Sequence, residues 1–303
     1  MTKQERLLML SDLMLLAVAA VWGTSYGVAK SALAFYPVLG LLALRFGITF
    51  VILAPALRHL RGASARALRE VLIAGVLLLG IFLAETFGIQ MTRAANAAFL
   101  ISLCVVLTPL VEWLLLKRVP SRVEGVAVLL SLFGAWLLAG DGALNFNPGD
   151  ALILLAALLR ALTVCVTKRV MRDPALPPLT VTAVQSGVAA AGSAAVAWLF
   201  APRQWQPLPT FNEHATFWAY VAYLVLACTL FGFFAQNFAI KRSSPTRVSL
   251  LMGSEPAFGA LFACLWLGER ISSTAWAGGT LIVAASILAT VRWNVSRTSA
   301  AQT

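Results

Sequence analysis

Apolar residues run almost without interruption through ten stretches of this chain, and short polar connections separate them. Crossing a hydrocarbon core of about 30 Å takes roughly 20 helical residues. Segments of that length are read at Asp12 to Ala29, Val38 to Leu57, Val71 to Ile89, Ala95 to Leu116 and Val123 to Ala139. Five more follow at Ala151 to Val170, Val181 to Ala201, Phe217 to Ile240, Val248 to Leu267 and Thr274 to Val291. The pattern predicts an all-α membrane protein of ten transmembrane helices with no soluble domain between spans. Motifs of the first five spans recur weakly in the last five, which divides the chain into repeats at 1–140 and 141–303. An odd number of crossings per repeat inverts the second repeat relative to the first, an organisation that supports alternating access to a central cavity.

Composition strengthens the membrane reading. With 60% hydrophobic and only 12% charged residues, there is too little polar side chain to coat a water-soluble globule of this size. The first apolar segment carries Trp22, Tyr26 and Lys30 and has no small-residue cleavage pattern, so it reads as helix 1 rather than a signal peptide. Cys104, Cys165, Cys228 and Cys264 all fall inside spans, where they act as small hydrophobes; no disulfide framework, metal site or cofactor is expected.

The net charge of +11 changes the picture only through its distribution. With the N-terminus in the cytoplasm, the inner side receives Lys3, Arg6, Arg58, Arg61, Arg66, Arg69, Lys117, Arg118, Arg122, Lys168, Arg169, Arg172, Lys241, Arg242, Arg247, Arg292 and Arg297. Those are 17 of the 23 basic residues. Arg93, Arg203 and Arg270 fall outside, and Lys30, Arg45 and Arg160 lie within spans. This asymmetry predicts both termini in the cytoplasm and a multi-pass protein of the cytoplasmic (inner) membrane. Alternate loops carry the charge, so nucleic acid is not an expected partner. The partners are the lipid bilayer and a small-molecule substrate, and the chain is compatible with a monomer.

The repeat shows in two alignments. Trp22 to Lys30 set against Arg160 to Lys168 brings Lys30 opposite Lys168, at an offset of 138 residues. The stretch Thr92 to Leu100 (TRAANAAFL) resembles Ser243 to Leu251 (SSPTRVSLL), and each runs through an apolar helix to a basic exit. At this point the chain resembles the drug/metabolite transporter superfamily, in its ten-helix EamA-like metabolite-exporter branch. The resemblance is carried by WGTSYGVAK at 22–30, ALRF at 43–46, TRAANAAFL at 92–100, SSPTRVSLLMGSEP at 243–256 and LGER at 267–270. It covers nearly the whole chain and implies an exporter, most like bacterial exporters of aromatic and other amino acids. The family often has an aromatic residue where Arg160 stands, so the polarity around helix 6 does not carry over.

Helical phase selects the residues that face one another. Trp22, Tyr26 and Lys30 share a face of helix 1; Phe82 and Glu85 share one of helix 3, with Leu78 and Ile89; Asn96 and Phe99 share one of helix 4, with Leu103. Helix 6 groups Arg160, Thr163 and Thr167; helix 8 groups Thr229, Phe233, Gln236 and Asn237; helix 9 sets Met252 near Glu255. Helices 5 and 10 show no such stripe and are expected at the periphery. The expected substrate-binding set is Trp22, Tyr26, Phe82, Glu85, Asn96, Phe99, Thr163, Phe233, Gln236 and Asn237, a mixture of aromatic surface and polar groups suited to an amino acid. Lys30, Arg45, Pro109, Arg160, Glu255 and Pro256 are assigned gating or structural roles.

Charges at mid-membrane face protein or a water-filled cavity. Depth counting puts Lys30, Arg45 and Glu85 in the outer half, with Arg160 and Glu255 nearer the middle or inner half. Each acid is then either a lining residue or one half of a structural pair. Glu112, near the inner end of helix 4, is expected at the interface, reaching toward the headgroups. Gly23 and Gly27 form a GxxxG for close helix approach. Pro55, Pro109 and Pro256 are expected to interrupt helices 2, 4 and 9. The competing function is efflux of drugs or other small metabolites, which an unpaired central carboxylate would favour. An intramembrane enzyme is disfavoured because both histidines, His59 and His214, lie in loops and neither HExxH nor a P-loop occurs.

Overall fold

The computed structural model describes residues 3–92, 94–139, 147–201, 203, 205–212, 214–267 and 272–300. Within them the chain makes ten helical crossings. They are α1 (Lys3–Leu33), α2 (Val38–Leu53, continued by a 3-10 segment Ala54–Gly62), α3 (Ala65–Met91), α4 (Ala94–Ser102 and Cys104–Leu116) and α5 (Arg122–Ala139). The second set is α6 (Pro148–Val170), α7 (Pro178–Phe200), α8 (Ala215–Tyr223, Leu224–Phe231 and Gly232–Arg242), α9 (Pro245–Met252 and Glu255–Leu267) and α10 (Ser273–Ala300). Eight segments are apolar and long enough to span a bilayer. Large apolar side chains point outward, among them Val51, Leu129, Trp198 and Leu265, as expected where lipid is the solvent.

Local chemistry sets the helix ends. Pro37 and Pro177 stand in extended conformation just before α2 and α7. Ser64 caps α3 by accepting from Ala67 N, and Asn147 and Asp150 form a reciprocal capping box at α6. Lys117 ends α4 in the left-handed region, at φ 57. Ser244 caps α9 ahead of Pro245.

Both repeats break their fourth helix at the same place. Adding 151 to Ala94, Cys104 and Leu116 gives Pro245, Glu255 and Leu267, the corresponding ends of the two pieces of α9. Neither break sits at its proline. Pro256 lies in the first turn of the second piece, where a missing N–H leaves no helical bond unmade. Pro109 lies inside the second piece of α4, and the break comes earlier, at Leu103, whose N–H bonds Leu100 O in a tighter turn. Pro55 lies in the 3-10 continuation of α2 rather than kinking its centre.

The repeats interlock. α1 packs on α8 and α9, while α6 packs on α3 and α4; α2 pairs with α7 and α5 with α10. Within the GxxxG only Gly23 makes the close approach. A Cβ there would lie 2.7 Å from Glu255 O and from Gly259 N, whereas one at Gly27 would meet nothing within 4 Å. The largest hydrophobic cluster, including Leu15, Phe46, Leu78, Val181, Phe217 and Phe233, draws on both halves.

Candidate functional site

A charged node sits where α1, α3, α6 and α9 meet. Arg160 of α6 donates from Nη1 to Glu255 Oε2 at 3.2 Å and from Nη2 to Glu85 Oε2 at 3.1 Å. Its guanidinium lies 5.7 Å from the centre of the Trp22 ring, within cation–π range. Glu85, Glu255 and Trp22 are buried. Depth counting separated Glu85 from Arg160 and Glu255; the tertiary fold brings them together, because an arginine side chain spans more than one helical turn and α9 restarts at Glu255.

Aromatic residues form the wall around this node. Trp22 packs on Phe233 at 5.2 Å, Phe233 on Phe82 at 6.2 Å, and Phe82 on Phe46 at 4.8 Å. Trp22 Nε1 donates to Cys228 O at 2.9 Å, and a side chain at Gly232 would collide with the same nitrogen at 2.6 Å. Arg45 lies over Phe82 at 5.1 Å and donates to Thr229 Oγ1 at 2.5 Å. Thr229 Oγ1 in turn donates to Leu224 O, within the π-helical stretch of α8. That wide turn leaves carbonyls such as Leu224 O and Cys228 O to accept side-chain donors.

The repeat explains why these residues converge. Adding 151 turns Phe82 into Phe233 and Glu85 into Gln236; adding 138 turns Trp22 into Arg160 and Asp12 into Asp150. Trp22 touches Arg160 and Phe82 touches Phe233. Residues that contact their own repeat partner lie beside the pseudo-two-fold axis, and an inverted-repeat fold places its binding site there, next to broken helices. Spacing could have exposed this correspondence: Phe-x-Ala-Glu at 82–85 recurs as Phe-x-Ala-Gln at 233–236.

Other expected site residues lie elsewhere. Asn237 points to a buried amide cluster, donating to Thr182 Oγ1 at 2.9 Å and Gln185 Oε1 at 3.0 Å, while Gln185 reaches Thr167 at 3.4 Å. Thr163 bonds back to Leu159 O in its own helix. Gln236 is buried on the opposite repeat from Glu85. Phe99 packs against the cluster of Ala97, Leu100 and Ile153. The side chains of Tyr26, Lys30 and Asn96 lie outside the described residues, as does the Gly-Glu-Arg part of LGER.

Polar clasps at both ends of the bundle went unread in the sequence. Ten crossings bring both chain ends to one side of the bundle. On that terminal side, fully buried Glu112 accepts from Thr246 N at 3.0 Å and from Thr246 Oγ1 at 2.5 Å, and pairs with Arg118 at 3.1 Å. It is therefore a cross-repeat cap on α9 and does not reach toward headgroups. Arg118 also grips both oxygens of Glu124 at 2.8 Å, and Ser244 donates to Glu124. Burial pulls the pKa of Arg118 down, and its bonds to Glu124 together with the charge of Glu112 outweigh that, leaving it raised. Nearby, Arg247, only 2% exposed, holds Asp12 at 2.5 Å. Lys168 caps the end of α8, donating to Ile240 O at 2.8 Å and Ser243 O at 2.7 Å. On the far side, Thr92 donates to Asp150, which Asn147 N also bonds at 3.1 Å.

Comparison with known proteins places these features. The sequence profile of the EamA-like transporter family matches residues 9–140 and 147–291. An uncharacterized transporter of Archaeoglobus fulgidus is 28% identical over 289 residues, 93% of this chain and 86% of that protein. The uncharacterized inner membrane transporter YedA of Escherichia coli is 25% identical over 282 residues, 91% of this chain and 89% of its own. A protein of solved crystal structure superposes with a TM-score of 0.74 at 22% identity, covering 93% of this chain and 96% of that one.

Proposed function

The chain belongs to the EamA-like transporter family, a family of membrane transporters rather than enzymes, and we propose that it exports amino acids, aromatic and other neutral ones over a broad range. The site of transport is the node of Glu85, Arg160 and Glu255 with the Trp22, Phe82 and Phe233 wall. One observation carries this reading: carboxylates and a guanidinium lie together against an aromatic surface, so each end of a free amino acid has a partner and its side chain has an apolar bed. Efflux of hydrophobic cations would favour an unpaired central carboxylate, and here both glutamates are bonded to Arg160.

The two five-helix halves, 1–140 and 141–303, act as the rocking units, and the broken helices α4 and α9 act as gates beside the site. The concentration of 17 basic residues on the terminal side supports cytoplasmic termini, and the Escherichia coli relative supports an inner-membrane location. Direction then follows the outward gradient of metabolites.

The test is counterflow in proteoliposomes with a panel of amino acids, with and without a pH gradient. Glu85→Gln and Glu255→Gln are each expected to weaken uptake at least about tenfold, since each leaves the half-buried Arg160 guanidinium partly unmatched. Failure of every amino acid to exchange would falsify the amino-acid reading. Transport indifferent to both substitutions and to the gradient would exclude proton coupling through these acids.

A further inference from the structure

At the node two carboxylates share one guanidinium, and the guanidinium belongs to the more accessible side chain. Arg160 is 20% exposed, against 11% for Glu85 and 7% for Glu255. Arg45 lies over Phe82, one turn before Glu85 in α3, so among the described residues the formal charges gathered here are two arginines and two glutamates. That balance limits what can enter. A region shielded from water penalises any charge left without a partner, and breaking a buried pair is worse than never forming it.

We propose that substrate binds here by ion-pair exchange and that Arg160 is the residue that selects zwitterions. The substrate ammonium takes the place of the guanidinium between Glu85 and Glu255, and the released guanidinium swings to take the substrate carboxylate. The face of Trp22 that Arg160 now covers is uncovered by the same movement and receives the substrate side chain. Arg160, Glu85 and Glu255 each face an opposite charge before and after, and a zwitterion leaves the net charge of the site unchanged. An amine lacking a carboxylate displaces Arg160 and strands it. An acid lacking an amine draws Arg160 away and leaves the two glutamates unmatched. Selectivity therefore arises from the penalty on half-molecules. This rests on the reading that amino acids are the cargo.

The experiment uses the purified full-length protein in liposomes loaded with phenylalanine, following uptake of labelled phenylalanine. The external competitors are phenylalanine, N-acetylphenylalanine as the acid alone and phenethylamine as the amine alone. Each half-molecule is expected to need at least about tenfold more than phenylalanine for half-inhibition. Arg160→Gln, which leaves no guanidinium to strand, is expected to bring phenethylamine to within about threefold of phenylalanine. Equal inhibition by all three in the parent protein overturns ion-pair exchange and leaves amino-acid transport standing. Exchange of other amino acids but not phenylalanine moves the same three-way comparison to one that is carried, where equal inhibition again overturns it. Absence of exchange for every amino acid overturns the underlying reading and this inference with it. Where Arg160→Gln does not fold, the parent comparison alone decides.

Discussion

The two ends of the bundle solve one problem with different chemistry. At each end an acid near the start of a repeat reaches the entry of the other repeat's fourth helix: Asp12 meets Arg247 on the terminal side, and Asp150 meets Thr92 on the far side. The acids correspond at the offset of 138, but their partners do not. Arg247 stands where the first repeat has Asn96, 151 residues earlier. The terminal side also carries the Glu112–Arg118–Glu124 chain that grips Ser244 and Thr246. The two repeats share the scaffold and the acid, but among the described residues the acid meets a guanidinium at one end and a hydroxyl at the other. The difference predicts unequal strength, with the terminal side the harder to open.

The largest effect should come from breaking the stronger end. Arg247→Ala leaves Asp12 without its buried cation, and removing one member of such a pair costs about 3 to 5 kcal/mol. Thermal unfolding in detergent should show the loss, and hydrogen exchange should rise in Pro245–Met252 before any other segment of α9. Thr92→Val at the far end removes one bond to a carboxylate that Asn147 still holds, a loss of about 1 to 2 kcal/mol. If Thr92→Val costs as much as Arg247→Ala, the asymmetry of the ends is not energetic and the comparison fails.

The smallest effect belongs to a solvent-exposed clasp joining the α6–α7 connection to the cap of α3. Asp173 accepts from Ser64 N at 3.1 Å and Ser64 Oγ at 2.8 Å, and those bonds, with one from Ala175 N, hold its pKa below the usual carboxylate range. A carboxylate with a lowered folded pKa adds stability that is present above its unfolded pKa of about 3.9 and lost as pH falls through the folded value. The gap in melting temperature between the parent and Asp173→Asn should therefore be small at neutral pH and close on acidification. A gap that widens toward low pH would contradict the assignment.

Much of the architecture was legible because hydrophobic run length and odd-number inversion are one-dimensional properties. Stripes on six helices named Trp22, Phe82, Glu85, Phe233 and Arg160's face of α6, and these do meet. Asn237 shows the limit of phase: four residues after Phe233, it shares that residue's helical face, yet it turns to α7 and an amide cluster rather than to the node. Pro109 shows another. Proline marks where a helix tolerates a missing N–H, and the chain chose to break six residues earlier, at Leu103.

The sequence alone determined the bilayer as solvent, the number of crossings and the twofold repeat, because each follows from the periodicity and length of apolar runs. Only the tertiary structure decided which charges meet. Arg160 and Glu85 lie 75 residues apart, and Arg160 and Glu255 lie 95 apart; Arg247 and Asp12 are separated by 235. Pairing at those separations depends on helix crossing and side-chain reach, neither of which is encoded in local pattern. The repeat supplies part of the reason, since close to the pseudo-two-fold axis Trp22 meets its duplicate Arg160 and Phe82 its duplicate Phe233.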